Sequence, residues 1–103
     1  MKLISAGLVD TYLEYGALLI DLRPSAEYRR GHIRGAVSIP ALQMERAIAW
    51  LPKNRTLVLY CERGGTSAAV GRRLSHAGFR TLSVAGGIKA YQGELVRSTT
   101  TRP

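Results

Sequence analysis

The chain has a single cysteine, Cys61, among its 103 residues. A lone thiol closes no intramolecular disulfide and supplies no multi-cysteine zinc or iron–sulfur site, so a disulfide-built scaffold and CxxC redox chemistry are both excluded. Acidic residues are scarce as well: 7 Asp and Glu stand against 15 Lys and Arg, leaving a formal charge of +8. Long apolar runs are missing too. Nothing approaches the ~18–20 consecutive apolar residues of a membrane span. Asp10 and Glu14 interrupt the opening stretch before it can form the apolar centre of a signal peptide. The expectation is a cytoplasmic protein without membrane association. With 46% hydrophobic and 21% charged residues the composition is that of a folded globule, and the length is that of one domain.

The basic surplus raises the question of a polyanionic partner. Twelve of the fifteen bases are arginine, but they are scattered, from Arg23, Arg29, Arg30 and Arg34 through Arg46, Arg55 and Arg63 to Arg72, Arg73, Arg80 and Arg97. There is no block of five or six and no basic stripe interleaved with aromatics, so nucleic-acid binding is not expected. The remaining choices are a solvated basic surface or a field that draws in small anions, and the second requires a site.

Along the chain, apolar runs alternate with helical periodicity. Ala17–Asp21, Thr56–Tyr60 and Thr81–Val84 read as buried parallel strands, Gly35–Ile39 as a weaker one and Lys2–Ile4 as a short edge strand. Ser5 caps a helix through Tyr15, with Leu8, Val9, Tyr12 and Leu13 on one face and Gly16 as its stop. Pro24 and Ser25 open a short helix that Gly31 closes. Met44, Ala47, Ile48 and Leu51 predict a helix over 41–51, ended by Pro52. Val70, Leu74 and Ala77 predict a helix from about Thr66 to Gly78, and a last helix is predicted over 88–94. Strands separated by helices of this length imply crossover connections and a parallel sheet covered on both faces. One α/β domain over 1–96 is expected, followed by a polar, frayed tail over 97–103.

The stretch Cys61-Glu62-Arg63-Gly64-Gly65-Thr66-Ser67 is the informative one. An apolar strand delivers Cys61 to its carboxyl end, where parallel α/β sheets bind ligands. Gly64 and Gly65 permit positive φ, and the helix beginning near Thr66 adds unpaired N–H groups, so the loop forms a cup for anions. The same cup stabilises a thiolate and makes Cys61 a nucleophile at neutral pH. Arg63 and the hydroxyls of Thr66 and Ser67 are candidates to contact an anion's oxygens, while Glu62 opposes them unless its carboxylate points away. A buried, inert cysteine is the alternative for Cys61 considered alone. The strand end, paired glycines, arginine, hydroxyls and helix start together favour function.

Here the chain resembles a known family, the rhodanese-like sulfurtransferase domain of the single-domain type. The resemblance is carried by Leu19-Ile-Asp-Leu-Arg-Pro-Ser-Ala-Glu-Tyr-Arg-Arg-Gly-His-Ile-Arg-Gly-Ala-Val-Ser-Ile-Pro40, by Leu57-Val-Leu-Tyr-Cys-Glu-Arg-Gly-Gly-Thr-Ser67, and by Gly78-Phe79 followed by Gly86-Gly87-Ile-Lys-Ala-Tyr91. It implies a three-layer sandwich with a five-stranded parallel sheet flanked by helices, and sulfur transfer through a persulfide on the residue matching Cys61. The five following residues and Ser67 would wrap the sulfur and its substrate. The implied partners are a small anionic sulfur donor such as thiosulfate and a cyanide or thiol acceptor, with no metal or organic cofactor. Thr66 and Arg63 look like the thiosulfate and mercaptopyruvate branch, whereas Glu62 stands where thiosulfate users often carry a basic residue. Glu62 therefore keeps open a second reading, a carrier or regulatory module loaded by a sulfur-relay protein. Tyr91 replaces a tryptophan common after the late Gly-Gly. Cysteine phosphatases need an arginine six positions after the nucleophile. Ser67 stands there, so phosphatase chemistry is not expected.

Other conspicuous residues are read as structural. Asp21 and Arg23 are expected to pair with each other, His32 to hydrogen-bond a turn, His76 to face solvent and Trp50 to be a partly exposed packing residue.

Overall fold

The computed structural model describes residues 1–98. Five strands, β1 (Lys2–Ile4), β2 (Leu18–Asp21), β4 (Val37–Ser38), β5 (Leu57–Tyr60) and β6 (Thr81–Val84), form one sheet in the order β1-β6-β5-β2-β4, parallel throughout. A separate antiparallel pair joins β3 (His32–Ile33) to β7 (Leu95–Val96).

The centre of the sheet explains its sequence. β5 lies between β2 and β6, and all four of its residues are buried, which is why it reads as an unbroken apolar run. Its side chains alternate between faces. Leu57, Leu59 and then Cys61 pack with Met44, Ala47, Val70, Leu74 and Phe79. Val58 and Tyr60 pack with Val9, Leu19, Ile33 and Ile88 on the opposite face. Helices α3 (Met44–Ala47) and α4 (Gly65–His76) thus cover one side, while α1 (Val9–Glu14) covers the other. Full burial of each such aliphatic side chain contributes ~1.5–3 kcal/mol, so the strand that carries Cys61 is held firmly on both faces. A further helix, α2 (Ser25–Arg30), leads from β2 to β3.

Several expectations are sharpened or corrected. Ser5 does cap the first helix, accepting a hydrogen bond from Gly7 N, but the helix opens as a 3-10 turn over Ala6–Leu8. Gly16 and Gly78 end their helices with φ of 94° and 99°, the left-handed region that glycine enters without a Cβ clash. The stripe Met44, Ala47, Leu51 is buried as expected, yet the single helix over 41–51 is a 3-10 turn Ala41–Gln43, the short α3 and a turn. Ala77 caps α4 and is exposed rather than part of its buried stripe. The strand over 35–39 shrinks to Val37–Ser38 at the sheet edge. The largest correction is the helix over 88–94. It is a 3-10 turn at Gly87–Ala90, and the chain then extends into β7, where Leu95 and Val96 pair with Ile33 and His32. Ile88 and Tyr91 imitate a helical spacing, but long-range pairing with β3 wins. Ser98 N donates to Arg29 O, so the start of the predicted frayed tail is tied down. Residues 99–103 lie outside the described part.

Candidate active site

Cys61 follows directly on β5, at the carboxyl edge of the sheet, and is 6% exposed. Gly64 takes φ of 107°, turning the chain back so that α4 can start at Gly65. Gly64 N–H then points at Cys61 Sγ from 3.1 Å, and Ser67 N–H, in the first turn of α4, from 3.3 Å. Paired glycines suggested positive φ at both positions, but Gly65 is an ordinary helical residue.

Burial raises the Cys61 thiol. The Ser67 hydroxyl and the N–H groups of Ser67, Gly64 and Arg63 outweigh it, and the thiol ends below its ordinary value. The sequence offered the Ser67 hydroxyl as a contact for substrate oxygens, and the structure turns it inward, away from the cleft lining. It is fully buried behind the sulfur, 3.6 Å from Sγ, 3.2 Å from Gly64 O and 2.7 Å from Ser83 Oγ. Once Cys61 is a thiolate, Ser83 can donate to Ser67 and release the Ser67 proton toward the sulfur. Ser83 was missed in the sequence. Its one signal is a small polar residue inside the apolar run of β6.

A cleft of about 990 Å³ opens beside the sulfur. Cys61, Glu62 and Thr66 line it together with Arg23, Glu27, Arg30 and Leu42. Thr66 is exposed there, and Gly65 is exposed at the start of α4. The Arg63 side chain is exposed but does not line the cleft. A cation that does line the cleft is Arg23, which sequence reasoning assigned only to the fold.

That structural role is real. Arg23 Nη2 lies 2.8 Å from Asp21 Oδ2 and 2.6 Å from Gly31 O, while Nε and the backbone N–H bond Asp21 Oδ1 at 3.1 and 2.9 Å. Arg23 Nη1, however, reaches 3.7 Å from Glu62 Oε1. Burial and the neighbouring Asp21 carboxylate push the Tyr60 phenol well above its usual range, and it stays protonated while accepting Ile33 N–H. His32 stacks on Tyr28 at 3.8 Å and its Nδ1 lies 2.8 Å from Tyr28 O, holding the turn after α2. His76 and Trp50 are exposed.

The late Gly-Gly pair completes the site. Gly86 and Gly87 take φ of 78° and 65°. Ile88 N and Lys89 N then donate to the carbonyls of Cys61 and Glu62 at 2.9 and 3.3 Å. The 3-10 turn therefore clasps the backbone on which the thiol sits.

This architecture has relatives. A family model described as a rhodanese-like domain matches residues 5–94. The chain belongs to the rhodanese family. Among curated relatives, the tRNA sulfurtransferase of Desulfurococcus amylolyticus is 32% identical over 82 residues, 80% of this chain and 16% of that protein. The thiosulfate sulfurtransferase PspE of Escherichia coli is 35% identical over 72 residues, 68% of this chain and 69% of the relative. The chain thus spans about one sixth of the first and about two thirds of the second. The crystal structure of a rhodanese-like domain protein from Staphylococcus aureus superposes with a TM-score of 0.86 at 26% identity, covering 96% of this chain and all of that one. The five-stranded parallel sheet flanked by helices is the rhodanese fold, and the sulfurtransferase relatives support transfer of sulfur between a donor and an acceptor as its general chemistry. No helix among the described residues is long and apolar enough to cross a membrane.

Proposed function

We propose that the chain moves a sulfane sulfur from an anionic donor such as thiosulfate to a thiol or cyanide, through a persulfide on Cys61. The observation that carries this reading is the convergence of the Gly64 and Ser67 N–H groups on Sγ at 3.1 and 3.3 Å. The Cys61 thiolate attacks the outer sulfur of thiosulfate, the donor's S–S bond breaks, and sulfite leaves with the electron pair. The negative charge passes to the outer sulfur of the persulfide, and an acceptor attacks that sulfur, returning Cys61 to its thiolate. Backbone N–H groups of the loop hold the charge in both states, and Thr66 faces the substrate. Incubation with thiosulfate, read by intact-protein mass spectrometry, should add one sulfur atom that reductant removes and that Cys61→Ser abolishes. Retained turnover in Cys61→Ser would defeat the assignment.

A second reading, a sulfur carrier loaded by a partner protein, is favoured by the size of the cleft and by Leu42 on its wall, which is 99% exposed. An inorganic anion leaves most of that cleft unfilled. Loading by a desulfurase but not by thiosulfate would select this reading over the first.

A further inference from the structure

Glu62 follows Cys61 in the chain and lines the same cleft, and two cations from distant parts of the sequence meet its carboxylate. Arg23 Nη1 stands 3.7 Å from Oε1, and Lys89 Nζ stands 3.4 Å from Oε2. The two are held differently. Arg23 is fixed by Asp21 and Gly31 O and has only Nη1 to offer. Lys89 is mostly exposed, but its backbone N–H also bonds Glu62 O at 3.3 Å, so one residue grips Glu62 at its main chain and its carboxylate. The same turn bonds Cys61 O through Ile88 N.

An unpaired carboxylate beside Cys61 would oppose its thiolate and repel an anionic donor. Held between Arg23 and Lys89, it does neither at full strength. We infer that Lys89 is a positioning residue that, with Arg23, keeps the Glu62 carboxylate off the sulfur and so allows a negatively charged donor to use the loop. This inference rests on the sulfur-transfer reading above and extends it to the donor's charge. Among the described residues, the other charged ones lining the cleft are Glu27 and Arg30, and neither is in an ion pair with Glu62.

The test compares the parent, Lys89→Met, Glu62→Gln, the double variant and Lys89→Arg. Two readouts are followed: the KM and kcat for thiosulfate, and the pH midpoint of Cys61 alkylation by uncharged iodoacetamide. Lys89→Met should raise the thiosulfate KM ~3-fold at low salt, with the effect fading at high ionic strength because the pair is solvent-accessible. It should also move the alkylation midpoint upward, and Lys89→Arg should restore both. The deciding comparison is the effect of Glu62→Gln. It should be larger in the Lys89→Met background than in the parent, because only there is the carboxylate released toward the sulfur. Equal effects in the two backgrounds mean two independent charges and overturn the proposal, as does a Lys89→Met variant indistinguishable from the parent. Failure of the parent to turn over thiosulfate would defeat the thiosulfate reading alone, since the alkylation series still decides whether the clamp exists.

Discussion

A Cβ placed on Gly87 would lie 2.5 Å from the carbonyl oxygen of Cys61. It would lie equally close to Glu62 O, and the backbone there has φ of 65°. Contact and conformation both demand glycine.

Gly87→Ala should therefore cost about 2–4 kcal/mol of stability and lower the reactivity of Cys61 as the clasp opens. Gly65→Ala is the control: a Cβ there meets nothing within 4 Å, so its stability should stay within ~0.5 kcal/mol of the parent. Urea titrations of the two variants, with Cys61 alkylation rates, check both statements; equal stability for the two would contradict the clasp.

Ser67→Ala removes the hydroxyl on Sγ and leaves Ser83 Oγ without its 2.7 Å partner. The backbone N–H groups of Gly64 and Ser67 remain on the sulfur. Alkylation at neutral pH should slow roughly tenfold and stability should fall by about 1–3 kcal/mol, the range for a buried hydrogen bond to a charged group and an orphaned hydroxyl. The pH midpoint of alkylation should move up. A midpoint that stays in place would show that the N–H groups alone hold the thiolate.

The lowered Cys61 thiol also couples to folding. In the folded chain it is a stronger acid than its ordinary value of 9.0, so between the lowered value and 9.0 the folded state binds fewer protons than the unfolded one. The resulting stability is complete above the unfolded value and is lost as pH falls through the folded one. The stability difference between the parent and Cys61→Ala should therefore widen in the parent's favour as pH rises toward 9. Denaturant titrations across that range measure it, and a difference that narrows with pH has the wrong sign.

Arg23 and Asp21 form a buried pair, with Asp21 fully buried and Arg23 9% exposed. Removing one partner strands the other charge, so Arg23→Met should destabilise by about 3–5 kcal/mol. The pair Arg73–Glu45 is exposed on both sides, and Arg73→Ala should cost less than ~1 kcal/mol. Comparable losses in the two variants would contradict the assignment of burial as the cause.

The sequence makes the central elements legible because they are local. Leu57 to Tyr60 is apolar since both faces of β5 are covered, and Cys61 announces itself by following it. The short pieces escape. β7 exists because Leu95 and Val96 meet Ile33 and His32, a pairing that no neighbouring residue encodes. In the site, the loop from Cys61 to Ser67 is readable as an anion cup, but the direction of each side chain is not. Ser67 turns inward because Ser83 awaits it across the layer from α4 to β6, and Glu62 turns toward Arg23 and Lys89, which approach from the end of β2 and from the turn after β6. A serine in a helix's first turn reads equally well as a substrate contact.

The placement of Ser67 behind the sulfur has a consequence in time. With Ser67 and Ser83 filling the rear and the Gly86-Gly87 turn pressed on the backbone, the sulfur is open to the cleft. Under the proposed sulfur transfer, donor and acceptor would share that one approach and take turns: the spent donor would have to leave before an acceptor reached the transferred atom, and each partner, supplied in excess, should obstruct the other's visit.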